Sequence, residues 1–299
     1  MIRAWLTASR AQYSSTIVLP GIVGGVVAWY DGFFSWPLFL VTLVALFFAN
    51  IGTNFNNDYY DYKSGVDAID KGRSFKRGSE VLLKNGLSPK LVLLSAMLSL
   101  TITTAIGLYL VAAVDWRIIF FGLLGVFITY FYTAPPFKLG YRGLGELACW
   151  VGCGPLPVIG TYFVMTGRIG ASAAVISIPV GLLVTAILYI GNVPDAEADS
   201  RVGKRTTSVR LGRHTVGVLG PVFYVATYLS VILAAATGVL PLWTLLSLLT
   251  VPLAVKLLRL TRTHYNDIPS YAPAIMMTVQ VFSSTTLLLI AGLVVGHLA

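Results

Sequence analysis

The chain has 299 residues, of which 56% are hydrophobic and only 11% are charged, and its formal net charge at neutral pH is +9. Soluble domains carry charged side chains at about a quarter of their positions, so this composition excludes an ordinary soluble globular protein. Together with a mean hydropathy of +0.80, it indicates a protein that crosses a membrane several times.

Nine apolar stretches approach or exceed the length of about 20 residues that a helix needs to cross the hydrocarbon core. We therefore expect an all-α fold, a polytopic bundle of nine transmembrane helices around a central cavity, with residues 1–299 forming a single domain. The expected spans are 14–33, 36–56, 91–113, 117–134, 144–166, 171–191, 215–237, 240–258 and 272–296.

The first stretch is the least apolar, because it contains Pro20, Gly21, Gly24 and Gly25. Arg3 and Arg10 precede it, so a cleavable signal peptide is the alternative interpretation. Small residues are common where membrane helices pack closely, and nothing after this stretch has the pattern of a secreted domain. These features favour a first membrane helix.

The basic residues predict the orientation, because Lys and Arg are retained on the cytoplasmic side during insertion. With the N-terminus inside, nine spans leave only Arg117 and Arg168 of the 21 basic residues outside. Topology thus accounts for the positive charge without a nucleic-acid partner. We expect an integral protein in the plasma membrane of a prokaryote, with its N-terminus and acidic loops in the cytoplasm.

The acidic residues are concentrated in two of these cytoplasmic loops, at about 57–90 and 192–214. Carboxylates gathered at a membrane edge repel one another unless a cation is present, so this grouping indicates a binding site. The two loops hold eight of the twelve acidic residues, namely Asp58, Asp61, Asp67, Asp70, Glu80, Asp195, Glu197 and Asp199.

The first acidic cluster lies in the run NFNNDYYDYKSGVD, at the cytoplasmic end of the second helix. If the helix continues through this run, Asn54, Asp58 and Asp61 lie on one face because they are four and three residues apart, and Asn57 flanks that face. A glycine then ends the helix, so that Asp67 folds back toward the same site.

The second cluster, NVPDAEAD, repeats the pattern at the cytoplasmic end of the sixth helix. Asn192, Asp195 and Asp199 are three and four residues apart, and Pro194 predicts a local kink because it cannot donate a backbone hydrogen bond. Both helices enter from the same side, so we expect the two clusters to face each other across the central cavity.

Carboxylate and amide oxygens favour hard cations, and Mg²⁺ in particular binds a few carboxylates together with water and phosphate oxygens. The pattern therefore predicts two Mg²⁺ ions that bridge a diphosphate group between the clusters. For an allylic diphosphate, metals and nearby cations favour breakage of the carbon–oxygen bond. The expected metal-binding and catalytic residues are Asp58, Asp61, Asp195 and Asp199.

Further residues are expected to bind the substrates. The loop YTAPPFKLGYRGLGE carries Lys138 and Arg142, which we assign to the diphosphate or to an acceptor carboxylate, and Arg10 and Lys204 are candidates for the same anion. Tyr132 belongs to an aromatic group that could stabilise an allylic cation by cation–π contact. The expected substrate-binding set is Asn54, Asn57, Asp67, Asn192, Lys138, Arg142, Lys204, Arg10 and Tyr132.

At these residues the sequence resembles the UbiA superfamily of intramembrane prenyltransferases. The motifs NFNNDYYD and NVPDAEAD follow the second and sixth helices as in that family, and YTAPP, YRGLGE, GKRT and VRLG resemble family segments. The resemblance implies a UbiA-type helical bundle, magnesium dependence, and transfer from a prenyl diphosphate to an acceptor. The run NDYYDYKSGVD is most similar to the menaquinone branch, which implies dihydroxynaphthoate as the aromatic acceptor and decarboxylation of the ring.

Other interpretations remain open from the sequence. The same fold could use hydroxybenzoate or a glycerol-type lipid as acceptor, or it could be a terpene cyclase that quenches the cation internally. A transporter is the alternative from another class, since polar residues inside a membrane can mark a translocation path. Each acidic cluster alone is also compatible with a solvated loop where a helix ends.

Four polar residues receive no role in binding or catalysis from the sequence. Glu197 lies off the face shared by Asp195 and Asp199, so we expect it to face solvent. Glu146 begins a predicted helix, where the helix dipole alone favours a carboxylate. Cys149 and Cys153 lie on adjacent turns of an apolar helix and are interpreted as packing residues.

Overall fold

The computed structural model of the protein describes residues 2–66 and 87–299. Every regular secondary-structure element within these ranges is a helix. Asp67, Asp70 and Glu80 lie outside the described residues. The α-helices are α1 (Ile2–Ser9), α2 (Ser15–Tyr30), α3 (Trp36–Ser64), α4 (Pro89–Ala113), α5 (Ile118–Phe131), α6 (Gly145–Cys153), α7 (Pro155–Thr166), α8 (Ala171–Gly191), α9 (Ala196–Arg201), α10 (Thr207–Leu211), α11 (Val216–Ala236), α12 (Val251–His264) and α13 (Ile268–Leu298).

Among the described residues, seven helical segments are long and apolar enough to cross a membrane, and α2 and α5 are shorter apolar helices. These segments correspond to the predicted stretches, so the all-α membrane class is confirmed while the count of nine is approximate. Two stretches are not uniform α-helices. The stretch 144–166 is divided between α6 and α7, and the stretch 240–258 begins with a 3₁₀ segment at Leu242–Thr250.

The division between α6 and α7 falls at Gly154, where the chain packs closely on α8. A β-carbon on this residue would lie 2.4 Å from the Cα of Gly181 in α8, so only glycine allows the two backbones to approach this closely. Pro155 follows and cannot donate a backbone hydrogen bond, which favours a new helix start there. The break packs α6 directly against α8.

Large buried side chains fix the end of α8, where the second acidic cluster begins. Tyr189 and Tyr271 are almost fully buried. The Tyr271 hydroxyl donates a hydrogen bond to the carbonyl of Ile190 at 3.1 Å, and the hydroxyls of Tyr189 and Thr215 lie 3.1 Å apart. A buried polar group that is hydrogen-bonded orients its neighbours, so these contacts position the turn that follows α8.

The polar loops are sorted between the two ends of the bundle. Helix α3 has 29 residues and is therefore about 43 Å long. At the end where α3 begins, Arg117 donates a hydrogen bond to the carbonyl of Gly167 at 3.0 Å, and the guanidinium of Arg168 lies 5.0 Å from the ring of Phe33. At the other end, the C-terminus of α3 contacts the N-terminal segment through Asp58 and the loop after α5 through Asp61, and that loop is hydrogen-bonded to the loop after α8.

Candidate active site

A cavity of about 800 Å³ lies inside the bundle, and its charged lining residues are at the end of the molecule where α3 terminates, which we call the mouth. Its deeper wall is apolar and includes Leu46, Leu100 and Phe121. Its mouth is polar, so the cavity is suited to a ligand with a charged head and a long apolar tail. The predicted site residues that line it are Arg10, Asn54, Asn57, Asp61, Tyr132, Asn192, Asp195 and Lys204.

Helix α3 continues through the first acidic cluster, as predicted. It ends at Ser64, where Gly65 adopts a φ of 77° that an L-residue with a side chain rarely adopts. Asn54, Asn57 and Asp61 line the cavity because their spacing of three and four residues places them on one face. The acidic residue between them, Asp58, is buried instead of lining the cavity.

Asp58 is held by the N-terminal segment of the chain. Its carboxylate accepts a hydrogen bond from the guanidinium of Arg10 at 2.5 Å, and only 1% of its side chain is exposed. Asn54 donates to the carbonyl of Ser9 at 3.1 Å, and Asn50 donates to the hydroxyl of Ser14 at 3.0 Å. These bonds keep Arg10 at the cavity mouth, where its cation is available to an anionic ligand.

The second acidic cluster lies on a turn and a short helix rather than on a continuation of α8. Helix α8 ends at Gly191, and α9 begins after Asp195, so the predicted kink at Pro194 takes the form of a complete turn. Asn192 and Asp195 line the cavity. Asp199 is fully buried, and the ammonium of Lys204 lies 3.6 Å from its Oδ1.

The two clusters therefore follow one scheme. Each presents one carboxylate to the cavity, from Asp61 and from Asp195, and each buries a second carboxylate against a cation that itself lines the cavity. Within the part of the chain that the structure describes, no three His, Cys, Asp or Glu side chains converge on one point. A cation at this mouth would therefore have few protein carboxylates and would need oxygen ligands from its substrate.

Tyr141 joins the two clusters and is a site residue that sequence reasoning missed. Its hydroxyl donates to Asp61 at 2.8 Å, and its carbonyl accepts from the backbone amide of Arg205 at 2.9 Å. The ammonium groups of Lys138 and Lys204 lie 5.4 and 5.3 Å from its ring centroid, within cation–π range. Burial and the nearby Asp61 charge raise the pKa of the Tyr141 phenol, so it stays protonated as a donor.

We expect Tyr141→Phe to weaken binding of the diphosphate that the sequence predicts as a ligand, while the fold is kept. The hydrogen bond that it removes fixes the position of Asp61, and bonds with a charged acceptor contribute about 1.5–3 kcal/mol; if this positioning is lost from the bound state alone, KM rises by about tenfold or more. Steady-state kinetics at varied diphosphate concentration measure the effect. Tyr62→Phe is the control, because the Tyr62 side chain is exposed. An unchanged KM in Tyr141→Phe would contradict this role.

The remaining predicted binding residues are placed as follows. Tyr132 lines the cavity. Lys138 is outside the cavity wall and contacts the ring of Tyr141. Arg142 is exposed, and its guanidinium donates to the carbonyl of Pro136 at 2.9 Å, so the structure does not bring it to the cavity. Asp67 lies outside the described residues.

Three of the residues without a predicted role prove to line the cavity. Glu146, Cys149 and Cys153 are three and four residues apart in α6, so they share the face that lines it. That spacing is visible in the sequence and is the signal that could have found them. Glu197, in contrast, is exposed and pairs with Arg201 at 2.7 Å, in agreement with the prediction that it faces solvent.

Proteins of similar sequence provide the first comparison. The chain is 30% identical over 248 residues to the 1,4-dihydroxy-2-naphthoate octaprenyltransferase of Bacillus subtilis (strain 168), covering 83% of this chain and 78% of the relative. It is 29% identical over 277 residues to the 2-carboxy-1,4-naphthoquinone phytyltransferase of Synechocystis sp. (strain ATCC 27184 / PCC 6803 / Kazusa), covering 89% and 85%.

Solved structures and a family profile provide the second comparison. The fold is similar to that of a UbiA homolog from Archaeoglobus fulgidus solved with DMAPP and Mg²⁺, with a TM-score of 0.67 and 16% identity over 95% of this chain and 98% of the other. The profile of the UbiA prenyltransferase family matches residues 17–279. Since this match covers most of the sequence, and the relatives and the fold agree with it, the chain belongs to the UbiA prenyltransferase family.

Proposed function

We propose that this enzyme transfers a polyprenyl group from an allylic prenyl diphosphate to dihydroxynaphthoate, with loss of the acceptor's carboxylate, in menaquinone biosynthesis. The observation that carries the proposal is the cavity itself, in which Asp61 and Asp195, with the cations Arg10 and Lys204, surround the mouth of a deep apolar pocket. The names of the relatives from Bacillus and Synechocystis support a naphthoate acceptor.

The donor set at the mouth fits Mg²⁺. Asp61, Asp195, Asn57 and Asn192 offer carboxylate and amide oxygens, and hard cations prefer oxygen ligands. Mg²⁺ is usually bound by one or two carboxylates and by substrate phosphates, which agrees with one cavity-facing carboxylate in each cluster. We propose two ions, one at each cluster, bound by Asp61 and by Asp195, with the buried Asp58 and Asp199 holding the cations Arg10 and Lys204 beside them. Bound there, the metal would neutralise the charge that develops on the leaving diphosphate.

The residues of the chain contribute the rest of the catalysis. Arg10 and Lys204 bind the diphosphate as fixed cations, and the charge that accumulates on the leaving group strengthens these contacts in the transition state. The apolar wall holds the tail and excludes water, so that the allylic cation reacts with the acceptor rather than with solvent. Tyr132, at the mouth, presents a ring to that cation.

The polar groups at the opposite end of the bundle argue against a transporter. A translocation path needs polar groups along its length, but those at that end bond to one another. Asp31 accepts from Tyr162 at 2.6 Å, and Arg117 donates to Asp115 at 2.8 Å. Among the described residues of that end, none of these four lines the cavity. We propose that this end faces outward and that the cavity mouth faces the cytoplasm of a prokaryote, with residues 1–299 acting as one domain.

The acceptor is tested by supplying purified enzyme with Mg²⁺ and a geranylgeranyl-length diphosphate, together with dihydroxynaphthoate, with hydroxybenzoate, or without acceptor. Mass spectrometry then identifies the products. We expect a prenylated, decarboxylated naphthoquinol with dihydroxynaphthoate only. A prenylated hydroxybenzoate as the main product would overturn the assignment of the acceptor, and a cyclic terpene without acceptor would indicate a cyclase.

A further inference from the structure

Glu146 is a cavity-lining carboxylate that the binding of metal and diphosphate does not use. It lies in the first turn of α6, and its side chain is part of the cavity wall. Its Oε1 atom is buried and has no hydrogen-bond partner among the residues that the structure describes. An unsatisfied buried carboxylate oxygen costs free energy unless a ligand supplies the donor, so this atom indicates a ligand contact.

The position of Glu146 can be read from the packing of α6 on α8. The thiol of Cys149 lies 3.9 Å from the carbonyl of Val184, and the two helices run in opposite directions. Three residues before Cys149, Glu146 is about 4.5 Å nearer the mouth, whereas Asn192 is about 12 Å nearer the mouth than Val184. The backbone of Glu146 therefore lies roughly 7 to 8 Å deeper than the Asn192 level, and its side chain leans back toward the mouth, where a ring held just inside the diphosphate would be.

The surroundings of Glu146 determine which ligand group it can take. Its charge acts on the phenols of Tyr132 and Tyr189 and on the thiol of Cys149, and among the residues that the structure describes its carboxylate forms no salt bridge. A diphosphate or the carboxylate of the acceptor would be repelled by its negative charge. A neutral O–H donor fits, because it supplies the hydrogen bond that Oε1 lacks.

We propose that Glu146 binds the phenolic hydroxyl of the aromatic acceptor next to the reacting ring carbon and accepts its proton during prenyl transfer. This inference rests on the proposed function and names a residue for its acceptor step. It also orients the acceptor, since the hydroxyl points toward α6.

The step balances in atoms and electrons. As the hydroxyl proton passes to Glu146, an electron pair of the ring forms the carbon–carbon bond to the allylic carbon, and the carbon–oxygen bond breaks with its pair leaving on the diphosphate. The ring carbon then carries both the prenyl group and the carboxylate beside a carbonyl. Loss of CO₂ returns an electron pair to the ring as an enolate, and Glu146 gives the proton back to its oxygen.

The test compares Glu146→Gln with the wild type and with Glu197→Gln, in which an exposed carboxylate is changed. We expect Glu146→Gln to lower kcat by about a hundredfold at neutral pH, the scale of general-base catalysis, and Glu197→Gln to leave it unchanged. Mg²⁺-dependent binding of an unreactive prenyl thiodiphosphate should be unchanged in both. Raising the pH should restore much of the rate of Glu146→Gln, because the acceptor then ionises without a base.

Two outcomes would overturn the role of Glu146. One is wild-type turnover in Glu146→Gln. The other is a loss of turnover that high pH does not relieve and that is accompanied by lost binding of the thiodiphosphate, because this combination would show that Glu146 has a purely structural role. Failure of the proposed function is distinguishable, because the wild type itself would then yield no prenylated acceptor.

Discussion

Asp61→Asn and Asp195→Asn should each reduce prenyl transfer by at least about a thousandfold while the protein remains folded in the membrane. Each change replaces a cavity-facing carboxylate by an amide of the same shape, so packing is kept while the negative charge that would hold a cation is lost. A thousandfold loss corresponds to about 4 kcal/mol of transition-state stabilisation, within the several kcal/mol that a bound metal supplies. Rates of product formation in detergent or liposomes measure it.

The buried carboxylates should respond differently in one respect. Asp58→Asn and Asp199→Asn should also abolish turnover, but they should lower thermal stability as well, because each leaves a cation facing a neutral amide. Glu197→Gln is the matched control from the same loop and should keep wild-type activity, since its carboxylate is exposed. Wild-type rates in all four Asp variants would contradict the assignment of the site.

Removal of Mg²⁺ should abolish turnover completely and reversibly. An excess of chelator leaves the diphosphate facing Asp61 and Asp195, and the cations that line the described part of the cavity, Arg10 and Lys204, offset its charge only in part, so like charges at the mouth repel it. Activity should return when Mg²⁺ is added beyond the chelator. The control is chelator already saturated with Mg²⁺, which should have no effect.

The same titration tests the number of ions. If one ion binds at each cluster, the initial rate should rise more steeply than first order at low Mg²⁺ concentration. A first-order dependence would contradict the two-ion proposal and leave a single metal between Asp61 and Asp195. Product formation that persists in excess chelator would reject metal dependence altogether.

The helical class, the placement of both acidic clusters at one end and the end of α3 were predictable from the sequence. Hydropathy identifies membrane helices because a spanning segment must satisfy its backbone internally. A spacing of three and four residues identifies a shared helix face, and a glycine marks a helix end. Asp61 and Asp195 follow from these rules, and the structure places both on the cavity wall.

The sequence alone could not show which carboxylate of a cluster faces the cavity and which one is buried. By spacing, Asp58 and Asp61 are equally good candidates for the cavity-facing carboxylate. In the structure, Asp58 is turned toward Arg10, which is 48 residues away along the chain. Such long-range partners have no local signature. Tyr141 was missed for the same reason, since its contact with Asp61 depends on how the loop after α5 folds across the end of α3.

The sequence did not predict that Glu146 lines the cavity, because its position has a sufficient local explanation. A carboxylate at a helix N-terminus is favoured by the helix dipole, so its position in the sequence needs no further cause. The structure shows in addition that its side chain lines the cavity, on a helix whose other end packs closely on α8 at Gly154 and Gly181. Arg142 is the opposite case. It was predicted to bind substrate because it is a cation in a loop beside the mouth, but in the structure it faces outward.

The most direct test of the account is the stoichiometry of a single reaction of the wild-type enzyme with Mg²⁺, prenyl diphosphate and dihydroxynaphthoate. Pyrophosphate, CO₂ and prenylated naphthoquinol are quantified together, with and without acceptor. We predict that the three appear in equal molar amounts and that pyrophosphate is released only when acceptor is present. Pyrophosphate released without a prenylated aromatic product, or no consumption of the diphosphate at all, would contradict the assignment of this cavity to prenyl transfer.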